Sequence, residues 1–166
     1  MTYIYQLTLA GLLTSQKLFA ADAPLAESIR SYLVLAESVL SQLEAEGGGD
    51  APLIVNTIDA LLDEAKPVVL AYGAKYTQCS EQLTALVNLY PSLAQWSAQE
   101  IRQNVEVGKA LPSAKGCYPA RDIVAHPAIV RVLAREGLDP EKSKELIEEM
   151  REAVEHMEEI GQDLVH

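Results

Sequence analysis

Residues 25–43 read LAESIRSYLVLAESVLSQL. Wound at about 100° per residue, Leu25, Ile29, Tyr32, Leu33, Ala36, Val39, Leu40 and Leu43 fall on one face. Arg30, Glu37 and Ser38 fall away from it. That is the pattern of a helix with one side in a core. Gly47-Gly48-Gly49 ends it, because glycine tolerates the backbone angles of a helix stop.

The same pattern recurs downstream. Asp50 is placed to cap a second helix, with Pro52 in its first turn, where a missing N–H costs nothing. Its apolar face is Ile54, Ile58, Leu61, Ala65, Val68 and Tyr72, and Pro67 should kink it. Cys79, Leu83, Leu86, Val87 and Tyr90 form a shorter face that Pro91 is expected to close. Ser97 and Glu100 spell a capping box for a short helix reaching about Ala110. Leu111 to Ala120, with two prolines and a glycine, reads as a loop. A fifth helix is expected from Arg121 to Arg135, stopped by Gly137. Asp139-Pro140 opens the last, whose face is Leu146, Met150, Ala153, Val154, Met157 and Leu164 and whose other side is dense in glutamate. The sum is an all-α chain: an antiparallel bundle of about four long helices and two short ones, in one domain over 21–166.

The amino terminus carries a different signal. The run Ile4 to Leu13 is apolar except for Gln6 and Thr8, and Leu18-Phe19-Ala20 precedes the polar Ala21-Asp22. A short apolar core ending in small residues is what signal peptidase recognises, so residues 1–20 are expected to be a cleaved leader. No basic side chain precedes the apolar core, which is atypical of leaders. A run of about ten apolar residues cannot span a bilayer, which needs about 20. No integral membrane segment is expected after cleavage, and a periplasmic or secreted location follows. Oxidising surroundings then favour a disulfide between Cys79 and Cys117, the two cysteines of the chain. Closing a loop that long in the unfolded chain is worth about 4 kcal/mol.

The net charge of −11, from 13 basic and 24 acidic side chains, repels phosphate backbones, so no nucleic acid is expected as a partner. It suits cations or a basic protein.

One stretch could carry chemistry, Cys117-Tyr118-Pro119-Ala120-Arg121-Asp122-Ile123-Val124-Ala125-His126-Pro127. Tyr118, Asp122 and His126 are spaced four apart and share a helical stripe. With Asp122 at zero, His126 lies at about 40° and Leu133 at about 20°, so both polar groups sit on an apolar face. Three readings compete. In the first, the pair is structural, with Asp122 anchoring the helix start and accepting a proton from His126. In the second, Asp122 and His126 ligate a divalent metal ion. A last helix folding back about residues 137 and 138 then brings Glu152 and His156 to the same height, on the flank of that helix. In the third, the cluster binds a small ligand or a protein, with Arg121 and Tyr118 at its rim.

Signatures of catalysis are missing. No serine stands in Gly-x-Ser-x-Gly, and bonded cysteines leave no Cys–His pair. Haem attached through Cys-x-x-Cys-His is ruled out, leaving at most His126 with Met150. The sequence thus favours an exported binding or interaction module and not an enzyme. The alternative is a metal- or haem-binding protein centred on His126.

Overall fold

Six α-helices and two short turns of other pitch account for nearly all of the residues described by the computed structural model, which are 12–45, 49–106 and 116–165; for 12–22 and 106 this covers the backbone alone. The helices are α1 (Leu12–Leu43), α2 (Ala51–Lys75), α3 (Ser80–Leu93), α4 (Ala98–Ile101), α5 (Tyr118–Glu136) and α6 (Pro140–Val165). A 3₁₀ turn, Thr77–Cys79, leads into α3, and a π-helical turn, Arg102–Glu106, follows α4. The four long helices pack in cyclic order α1, α2, α5, α6, each antiparallel to its neighbours. Cross-links fix those directions: Arg131 meets Asp59 and Tyr72 reaches Gly116 between α5 and α2, while Arg151 meets Glu44 between α6 and α1. The short helices form the long connection between α2 and α5, α3 lying on α2 and α4 on α5.

Local signals set most of these boundaries. Asp50 accepts from the Leu53 N–H at 3.2 Å as the N-cap of α2. Ser97 and Glu100 make the expected reciprocal capping box. Asp139 accepts from the N–H groups of Glu141 and Lys142 at 3.0 and 2.9 Å and opens α6. Gly137 stops α5 at φ 110°, a left-handed angle that L side chains rarely adopt.

Two expected boundaries are corrected. Pro91 does not close α3, which runs on to Leu93; a proline loses only one backbone bond, and Leu93 is buried in the core. The fifth helix begins at Tyr118, inside the expected loop, because Pro119 in its first turn needs no N–H partner. Of the short helix expected to reach Ala110, α4 and the π turn cover the part up to Glu106, and the rest lies outside the described residues. The core of the expected leader lies mostly outside them too. The described buried residues of α1 begin at Ile29, beyond the expected cut. Among the described residues no helix is long and apolar enough to cross a membrane.

The core is one continuous apolar cluster drawing on every long helix. At its centre lies α5, where each residue from Pro119 to Val130 is buried. Two tethers fix its start. Cys79 and Cys117 form a disulfide, both cysteines fully buried, and the Tyr72 hydroxyl donates to the Gly116 carbonyl at 2.8 Å. Within α5, Pro127 cannot donate to the carbonyl four residues back, that of Ile123. The hydroxyl of Tyr32, a fully buried side chain of α1, donates to that carbonyl at 2.8 Å. A defect in one helix thereby becomes the docking point of another.

We expect Tyr32→Phe to lower stability by about 1–3 kcal/mol, the cost of a buried carbonyl left without a donor. In a Pro127→Ala background, which restores the helical N–H, the same change should cost markedly less. Equal costs in the two backgrounds, measured by urea denaturation, would refute the link. Reduction of the Cys79–Cys117 bond should cost about 2–4 kcal/mol in the same assay.

Candidate functional site

Being buried on every side, α5 would ordinarily be apolar all round. Instead it places Arg121, Asp122 and His126 inside the protein, each at most 8 % exposed. Such groups must find partners or cost stability. Asp122 is held by the guanidinium of Arg121, Nε to Oδ1 at 2.7 Å and Nη2 to Oδ2 at 3.2 Å. Arg121, expected at a rim, is therefore buried against its chain neighbour. Tyr118 does stand at the rim, 46 % exposed.

The remaining groups come from α6. Glu149, Glu152 and His156 recur at steps of three and four, so they share the stripe that faces α5. His126 Nδ1 lies 2.7 Å from Glu149 Oε2, and His126 Nε2 lies 3.3 Å from Glu152 Oε2. His156 Nε2 lies 3.9 Å from Asp122 Oδ2. The two imidazole rings stack, with centroids 5.9 Å apart and planes 16° from parallel. Tyr118 meets the His156 ring edge-on at 5.5 Å. One ligand-capable atom from each of Asp122, His126 and His156 lies within 4.8 Å of the others. The four residues expected from the sequence as metal ligands thus converge on one place between α5 and α6. His156 is largely buried there, whereas the Glu152 side chain is 58 % exposed.

Two members of the cluster do not stand out in the sequence. Glu149 belongs to the glutamate-rich side of α6, which reads as solvated, yet its side chain is only 14 % exposed. Its signal is its position three before Glu152 and seven before His156. Arg102 arrives from the π turn, and its Nη2 donates to Glu149 Oε1 and Glu145 Oε1, both at 2.6 Å. No periodicity in α5 or α6 could point to it.

Both nitrogens of the His126 imidazole face carboxylates. A carboxylate only accepts, so at Nδ1 the ring donates its proton to Glu149. At Nε2 the neighbour is a second carboxylate, that of Glu152, 3.3 Å away. Burial would raise the pKa of Glu149, but the hydrogen bonds and charges of His126 and Arg102 outweigh it and hold it below the ordinary 4.5.

A carboxylate depressed in the folded state binds fewer protons there than when unfolded. Its stabilisation is present above pH 4.5 and lost as pH falls through the lowered folded value. Denaturation curves below pH 4.5 should therefore show a shallower loss of stability for Glu149→Gln than for the wild type, and an unchanged slope would contradict the assignment. No protein-family model, characterised protein or solved structure matches this chain, so the chemistry of the cluster rests on its own geometry.

Proposed function

We propose that this is an exported protein that binds one divalent transition-metal ion between α5 and α6, through His126, His156 and Asp122, with Glu152 as a fourth ligand. The observation that carries this reading is the convergence of ligand atoms from Asp122, His126 and His156 within 4.8 Å. On a tetrahedral ion with bonds of about 2.0 Å, ligand atoms sit roughly 3.3 Å apart. A contraction of roughly 1.5 Å at the widest separation would close the site around such an ion.

The surroundings fit as well. A ligating histidine commonly donates its other N–H to a carboxylate, which fixes its orientation and raises its basicity. Glu149 stands in that place for His126. Arg121 orients Asp122 by donating to both of its carboxylate oxygens. His156 makes contacts of 3.9 Å with both Asp122 and Glu159, too long for hydrogen bonds. Two imidazoles and two carboxylates suit zinc and its first-row neighbours better than calcium or magnesium, which take oxygen ligands. Carboxylates and a second imidazole around His126 suit an ion better than a haem. The exposed Glu152 is the ligand best placed to yield to water or to a carrier molecule. Export is supported by the disulfide, which persists in oxidising compartments.

Titration of the purified protein with Zn²⁺, followed by calorimetry and native mass spectrometry, should show one ion per chain. His126→Ala and His156→Ala should each weaken binding at least tenfold, and Glu152→Ala less. Zn²⁺ at a hundred times its dissociation constant should raise wild-type stability by about 2.7 kcal/mol. Failure to bind Zn²⁺ or Co²⁺ below millimolar concentration would overturn the metal reading. The cluster would then be a structural network, and the search would pass to protein partners.

A further inference from the structure

Arg102, in the π turn after α4, holds the carboxylate that orients one of the four proposed ligands. The two oxygens of Glu149 are divided between these partners. Oε1 accepts from Arg102 at 2.6 Å, and Oε2 meets His126 Nδ1 at 2.7 Å. Arg102 also binds Glu145 one turn earlier on α6, so it clamps the π turn across that helix. Ile101 and Val105, on either side of it, are fully buried, so the segment is seated in the core. Short π-helical turns inside helices are frequent at functional sites.

We propose that Arg102 is a positioning residue for the metal site, and that through it metal occupancy and the attachment of the segment Arg102–Glu106 to α6 strengthen each other. This rests on the metal reading above. The physical link is short. An ion on Nε2 draws electron density from the imidazole and makes Nδ1–H a stronger donor to Glu149. That carboxylate serves only while it is correctly turned, and Arg102 secures this by holding its other oxygen. Thermodynamic linkage requires the converse: whatever strengthens the Arg102 clamp strengthens metal binding by the same factor.

The test compares wild type, Arg102→Gln and Arg102→Lys with Zn²⁺ and Co²⁺ as the probes. Loss of a partner that orients a ligand typically costs 10–100-fold in metal affinity, and Arg102 acts one bond further out, so Arg102→Gln should lose about three- to tenfold. Arg102→Lys, which keeps the charge, should recover part of this. The visible absorption of bound Co²⁺ should differ between wild type and Arg102→Gln, a signature that a purely structural role would not move. Zn²⁺ should slow amide hydrogen exchange at residues 102–106 in the wild type and much less in Arg102→Gln. Wild-type affinity and an unchanged Co²⁺ spectrum in Arg102→Gln would overturn the proposal, as would exchange at 102–106 that ignores Zn²⁺. A wild type that binds neither ion would sink the site itself, a result plainly different from a site that binds but is indifferent to Arg102.

Discussion

The structure depends on a helix that is buried on every side while carrying an arginine, an aspartate and a histidine. An ion taken out of water without a partner costs several kcal/mol, comparable to the whole stability of a domain of this size. The bundle can therefore form only if partners reach these three groups. Arg121 and Asp122 answer one another. His126 is answered from α6, whose Glu149, Glu152 and His156 must stand on the side toward α5 at the same height. The register of α6 against α5 is thus fixed by charge as well as by the apolar face of Leu146, Met150, Ala153 and Met157. Further along α5, Arg131 pairs with Asp59 of α2.

A site built this way is held from several directions. The start of α5 is tied to α2 through Tyr72 and to the turn before α3 through the disulfide. Its middle is tied to α1 at the carbonyl that Pro127 leaves without a donor. Asp122 lies between those two anchors and His126 three residues beyond the second, so both sit on backbone that other helices hold in place. Glu149 is held in turn by Arg102, from a segment that packs on α5. Supporting contacts of this kind hold side chains near one geometry, which is what a binding site requires.

The helical period makes the bundle legible, because apolar faces of six to eight residues leave little freedom in how a chain can bury them. Capping residues are legible for a local reason: Asp50, Ser97 and Asp139 act on N–H groups two or three residues away. The disulfide follows from the cysteine count once export is assumed. Asp122 and His126 stand out because they break an apolar face, and folding back about residues 137 and 138 places Glu152 and His156 beside them. Glu149 is hidden, since on a helix rich in glutamate one inward-facing carboxylate differs from its solvated neighbours only by angle. Arg102 is out of reach, because it comes from a short segment whose path over α5 is a tertiary fact. The sequence places the start of α5 too late, because the prolines around Tyr118 suggest a loop when one of them occupies a first turn that tolerates it.

What separates a ligand site from a self-satisfied polar network is whether the protein's own groups complete it. Most of this cluster is complete. Arg121 with Asp122, Arg102 with Glu149 and His126 with Glu149 all meet at 2.6 to 2.7 Å, the lengths of charge-assisted bonds. His156 differs. It stacks on His126 and takes the edge of Tyr118, but its ring nitrogens stand 3.9 Å from Asp122 and from Glu159. In a network serving stability alone, drawing His156 onto one of those carboxylates would add a hydrogen bond. The neighbours instead hold its ring nearly parallel to that of His126, beside a carboxylate already oriented by an arginine. The ion proposed above would take a lone pair from each of the two rings and from Asp122. The incompleteness at His156 therefore weighs more for the metal reading than the number of acidic residues around it.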